Sequence, residues 1–255
     1  MSNKRATLPE PAEVSDYADK YKGEGTHVNE EYTITPRVVI LQGLSPQVKR
    51  NNPAYVEGAQ PGMIFLSLYH RPLVDGNEGI IFQPCVFRAV WDVRTPRESG
   101  AQNFIATMSE PQSSWTQHRH ERGYIFYVTP EKYVASQVHE QIGLVHIDGL
   151  LLPYAIRFAG TGMFVSRTFN GMIAQRRTSS GEAAPRFAYL YRMRVKSQTN
   201  NMGEWGQWAI SPHDRASDDQ IERGHSLFRA FKERQIGVET DDTQHQAPID
   251  NDAAL

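Results

Sequence analysis

The chain has 255 residues, 39% of them hydrophobic, enough to bury a core without crosslinks. Its single cysteine, Cys85, excludes a disulfide framework and a multi-cysteine metal site and fits a reducing compartment. The formal net charge is only −2, but it is unevenly spread. Residues 1–31 carry four Lys/Arg and seven Asp/Glu, and residues 235–255 carry no Lys/Arg and five Asp/Glu. The body between them keeps 23 of the 27 basic and 17 of the 29 acidic residues, a net of +6. A basic body between acidic ends points to an anionic partner.

Residues 1–31 are polar, with Pro9, Pro11, Gly23 and Gly25 and little apolar periodicity, and read as a disordered arm without the apolar core of a secretory signal. RVVILQ (37–42) is a β-branched run after Pro36 and predicts a buried strand. Prolines and glycines punctuate 44–64 as a loop, MIFLSLYH (63–70) reads as a strand, and Asp75-Gly76 predicts a hairpin-type connection. A long strand is expected over 79–94, with Pro84 at an edge position or a bulge. Residues 95–122 are polar and too long for a turn, so a functional or flexible loop is expected.

Strands follow at 123–128, 132–148 and 151–160, then a helix over 160–178 with Thr161 as N-cap and Arg176 and Arg177 at its C-terminal end. In RFAYLYRMRVK (186–196), Phe187, Tyr189, Tyr191, Met193 and Val195 share one parity, and Arg186, Arg192, Arg194 and Lys196 share the other. This predicts a strand with an apolar face and a basic back, paired as a hairpin with EWGQWAIS (204–211). A last helix over 213–234 and an acidic tail over 235–255 complete the chain. The expected fold is mainly β (α+β): an OB-like barrel over 32–212 with an embedded helix, a C-terminal helix and disordered acidic ends. No run of about 18 apolar residues is present, so no membrane span is expected.

Enzyme chemistry finds little support. His118, His120 and Glu121, with His139 and His146 beyond, match no metal-ligand spacing and read as a basic mobile loop. Cys85 lies in an apolar strand and reads as core. Body carboxylates are scattered, and Asp218, Asp219 and Glu222 sit on a helix first turn, where acids complement the dipole. No catalytic residue, metal or cofactor is expected.

Binding of single-stranded nucleic acid needs cations for phosphates and aromatic planes for bases. The basic candidates are Arg88, Arg94, Arg157, Arg167, Arg176, Arg177, Arg186, Arg192, Arg194 and Lys196. Trp91 and Trp205 are the expected exposed stacking residues, whereas Phe187, Tyr189 and Tyr191 are expected to point into the core. The tail, with Asp241, Asp242, Asp250, Asp252 and a terminal Leu255, is expected to compete with DNA for the groove and to recruit partners when released.

LQGLSPQVKRNNPAYVEGAQPGMIF (41–65), EGIIFQPCVFRAVW (78–91) and LLPYAIRFAGTGMFVSR (151–167) resemble a family of tailed-bacteriophage single-stranded DNA-binding proteins. The resemblance covers about residues 32–234. It implies an OB-like barrel, DNA coating during phage replication or recombination, and a location in the host cytoplasm. The partners implied are single-stranded DNA and, through the tail, a phage polymerase, helicase, recombinase or nuclease, and a homo-oligomer is compatible with these. The tail departs from the family habit of ending in an aromatic residue, since Leu255 holds that place. The alternative expectation is a structural component of the phage virion or its assembly.

Overall fold

The computed structural model describes residues 34–69, 72–96, 103–121, 124–200, 203–234 and 237–238. The arm expected over 1–31 lies outside these residues, as does the tail beyond Val238 with Asp241, Asp242, Asp250, Asp252 and Leu255. The strands are β1 (Ile34–Thr35), β2 (Arg37–Ile40), β3 (Ile64–Leu66), β4 (Leu73–Val74), β5 (Ile80–Arg94), β6 (Phe104–Met108), β7 (Thr116–Arg119), β8 (Ile125–Val128), β9 (Val134–Ile147) and β10 (Leu150–Ala159). Helix α1 (Gly162–Ala174) follows, then β11 (Tyr189–Asn200), β12 (Gly203–Arg215), α2 (Asp218–Arg234) and β13 (Gly237–Val238).

One sheet runs in the order β12-β11-β5-β9-β10-β2-β3-β4 and curls into a half-barrel. With α1 inserted between β10 and β11 and α2 after β12, this is the mainly β, OB-like architecture expected from the sequence. The long strands β5 and β9 form its spine. At one end of the spine β11 pairs with Ile80–Phe82 of β5; at the other, β6 pairs with Trp91–Arg94 and β8 with Val134–Ser136 of β9. The outer β7–β8 hairpin therefore extends the sheet as a wing.

Strand alternation sorts side chains to the two sides of the curl. Inside it pack Phe82, Val145, Tyr154, Ile156, Phe158, Tyr191 and Met193, with Phe169 and Ile173 of α1 closing over them. Phe169 has no exposure, and burying such a ring is worth about 2–3 kcal/mol. On the outer side, Leu227 and Phe231 of α2 cover Ile142 and Ala155, while Ile221 and Phe228 pack against Cys85, Leu144 and Phe187. A capping box starts α2: Gln220 N donates to Ser217 Oγ (3.4 Å), and Ser217 N donates to Gln220 Oε1 (2.7 Å). The helix consequently begins at Asp218, and β12 runs on to Arg215, across the boundary expected at 212.

The half-barrel nearly closes on itself where β12 meets β2. Gln42 bridges this seam, its Nε2 donating to Gly206 O and its Oε1 accepting from Gly206 N, both at 2.9 Å. A Cβ at position 206 would lie 2.7 Å from Ile40 Cγ2 and 2.9 Å from Val195 Cγ1, so only glycine permits this approach.

Several expectations needed revision. The supposed loop 95–122 contains β6 and β7, and His118–Arg119 lies in a strand. All four β7 residues are exposed, so no apolar alternation marked it. Asp75-Gly76 turns the chain between β4 and β5, which do not pair, so it is not a hairpin turn. Thr161 precedes α1 in helical conformation and makes no side-chain cap. Arg186–Ala188 form a single 3-10 turn before β11 starts. Gly237 and Val238, expected to be disordered tail, pair in parallel with Ile34 and Thr35.

The bulge at Pro84 appears as expected, with pairing to β9 shifting between Pro84 and Val86. The extra residue turns Cys85 toward α2, where Val86 also packs. Burial pushes the Cys85 thiol up to about 12, in keeping with an unreactive core residue. The bulge also inverts which side every later residue of β5 faces.

Candidate nucleic-acid interface

The twelve DNA-binding candidates fall into three places. The first is the outer face of the spine. Register aligns Arg88, Glu140 and Arg157 across β5, β9 and β10, past the bulge at Pro84. Arg157 Nε forms an ion pair with Glu140 Oε1 (2.9 Å), and its NH2 group donates to Asp92 Oδ1 (2.6 Å). Arg88 donates to Glu140, Arg94 lies 3.5 Å from Asp92, and Thr107 Oγ1 also donates to Asp92 (2.8 Å). The Arg157 side chain is 6% exposed and that of Glu140 2%. Three expected phosphate contacts thus serve instead in an ion-pair network, and Arg157 is not available to a ligand without breaking it. Trp91 has the opposite parity and faces inward. It is 8% exposed and meets the Tyr127 ring edge-on at 4.9 Å, so the expected stacking surface is core.

The second place is the C-terminal end of α1. Arg167 is exposed on the helix. Arg177 donates back to the carbonyls of Ala174 (2.8 Å) and Arg176 (3.0 Å), meeting the helix end as expected. Arg176 lies over the rings of Tyr189 (4.9 Å) and Tyr191 (5.8 Å). Arg186 donates to Gln141 Oε1 (2.7 Å) and Asn170 Oδ1 (3.0 Å) and lies over Phe87. Beside it, His139 Nδ1 meets Ser166 Oγ at 3.2 Å. Burial, and secondarily the Arg167 charge, holds His139 below its ordinary pKa.

The third place is the outer face of the β11–β12 hairpin. Arg192 pairs across with Ser211, Arg194 with Ala209, Lys196 with Gln207 and Gln198 with Trp205, so these side chains share one face. Arg194 and Lys196 are exposed. Arg192 donates only to Glu78 O (3.3 Å), and none of the three forms an ion pair among the described residues. The opposite face behaves as expected: Tyr191 and Met193 have no exposure, and Phe187 is 9% exposed.

Trp205 is half-buried at the end of the basic row, where it walls two clefts on the seam. One, of about 260 Å³, also contains Arg37, Gln42 and Trp208; the other, of about 620 Å³, contains Asp75 and Glu204. Parallel pairing of β13 with β1 aims the chain at Val238 the way β1 runs, toward Pro36 and Arg37.

Sequence reasoning missed two groups. Arg215 lies over the Tyr189 ring at 5.8 Å; the signal was an Arg ending the last strand. On the wing, His118 stacks on Phe126 (5.3 Å) and His120 on Tyr124 (4.3 Å), pairs made by the β7–β8 register and invisible without it. Among the described residues no cluster of three metal-ligating side chains occurs, and no helix is long and apolar enough to cross a membrane.

No curated protein and no solved structure matches the chain. The family model described as Pam3 phage gp34-like protein matches residues 3–237. That match spans most of the chain, which therefore belongs to the Pam3 phage gp34-like family of bacteriophage proteins.

Proposed function

We propose that the protein binds single-stranded DNA for phage replication or recombination, without strong sequence preference. The observation that carries this reading is the row Arg192, Arg194 and Lys196 on one face of β11, without an ion pair among the described residues and ending at Trp205. Alternate strand residues stand about 6.6 Å apart, a repeat that suits successive phosphates of an extended strand. Phosphates follow the row, and a base stacks on Trp205 at the mouth of the seam clefts. The acids of residues 239–255 compete for the same cations, and the heading of the chain at Val238 toward Arg37 favours that competition. Once displaced, the tail is free to contact replication or recombination proteins.

Gel-shift of oligo(dT) at two salt concentrations tests the reading. Binding that weakens with salt supports it; no binding at low salt by protein lacking residues 239–255 overturns it. A second reading, a virion or assembly component, draws on the wing, where Tyr124 and Ile125 are 46% and 36% exposed, and on Ile105 of β6, 43% exposed. Mass spectrometry of purified particles decides between the two, since a replication protein is largely absent from them.

A further inference from the structure

The loop after α1 folds back on itself, with Arg177 bridged to Ala183 and Ala184 N donating to Arg176 O (3.0 Å). Arg176, at the helix end, and Arg186, before β11, both lie near enough for their charges to act on Tyr191. Tyr191 has no exposure, and its buried hydroxyl has only the Arg176 guanidinium beside it among the described residues. Arg176 Nε and Arg186 Nε are buried without a hydrogen-bond partner among the described residues. A buried polar group left unpaired is costly, so two guanidinium donors in this state beside one buried phenol call for an explanation. The charges sharpen it. Arg176, Arg177, Arg186 and Arg215 surround Tyr189 and Tyr191, and none forms an ion pair among the described residues. Arg186 has only the neutral amides of Gln141 and Asn170. Elsewhere the fold neutralises its half-buried arginines, as Arg88 and Arg157 with Glu140 and Asp92 show. Here the described residues supply no countercharge.

We infer that Arg176, Arg186 and Tyr191 form a binding site for a phosphoryl group, whose oxygens accept from the two guanidinium groups and the hydroxyl. Two arginines and a phenol supply forked donors to a tetrahedral anion, a set suited to phosphate. Arg177 and Arg215, both exposed, flank the entrance and attract the anion. The site lies at the end of α1, on the opposite face of β11 from the row Arg192, Arg194 and Lys196, and does not depend on the DNA-binding reading. A strand end bearing a phosphate and free phosphate present the same chemistry.

The test titrates full-length protein with inorganic phosphate against chloride at matched ionic strength, by calorimetry. Tyr191→Phe keeps the ring and removes only the hydroxyl; Arg176→Gln removes the charge at a half-buried position while keeping a polar side chain there. Each is expected to weaken phosphate binding about tenfold or more, the loss of one charge-assisted hydrogen bond. Two short oligo(dT) arms, with and without a 5′-phosphate, identify the source. A preference for the phosphorylated strand that disappears in Tyr191→Phe places a strand end in the site; equal binding of the two strands beside saturable phosphate binding makes free phosphate the ligand. No phosphate binding, or binding unchanged by both substitutions, overturns the inference. Failure of the DNA reading appears separately, as phosphate binding by a protein that does not bind oligo(dT).

Discussion

Neutralising the basic row with Arg192→Gln, Arg194→Gln and Lys196→Gln together is the sharpest test of the interface. Arg194 and Lys196 are exposed, and Arg192 holds only the Glu78 carbonyl. Surface changes of this kind alter stability within about 0.5 kcal/mol, so any lost binding is not lost folding. Each phosphate neutralised on a single strand adds about 0.7 to the slope of log affinity against log salt. Removing three such contacts should flatten that slope by about 2 and lower affinity at 0.1 M salt about 100-fold, the gap closing toward 1 M. Fluorescence anisotropy of labelled oligo(dT) over a salt series reads both quantities, with circular dichroism as the check on folding. A slope within 0.5 of wild type, on a roughly 2-unit expectation, would refute the placement of phosphates on this face.

Other consequences concern the scaffold. Arg157→Ala leaves Glu140 and Asp92 buried without their main cation and should destabilise the protein by about 3–5 kcal/mol, measured by urea unfolding. Gly206→Ala forces a methyl against Ile40 and Val195 and should cost about 1–3 kcal/mol, while Gln42 loses its grip on the seam. His139 and His146 have folded pKa values depressed mainly by burial, so the unfolded chain binds more protons below the ordinary value of 6.5. Their contribution to stability is present above about pH 6.5 and is lost as pH falls toward the folded values. Thermal melts from pH 7.5 to 5 should show this decline, and His139→Gln should make it shallower; a steeper decline would contradict the sign.

Strand identity was legible wherever one face is buried and the other wet, as in Tyr189–Asn200, because such a strand writes its period into the chain. The basic body and the inward tyrosines were legible for the same reason, since composition and parity are properties of the chain alone. The wing strand Thr116–Arg119 was not, because a strand exposed on both faces carries no pattern. Pairing partners were beyond the sequence as well, and with them the fate of the arginines. Arg157 and Arg194 are alike as residue types, yet Glu140 and Asp92 stand across from one and Ala209 from the other. A single bulged residue at Pro84–Val86 determined that Trp91 turned inward and Arg88 met Glu140, since a shift of one position exchanges the faces of everything after it. Charge and period are local and additive, so the chain declares them; which charges are cancelled depends on register between strands distant in sequence, and only the folded sheet decides that.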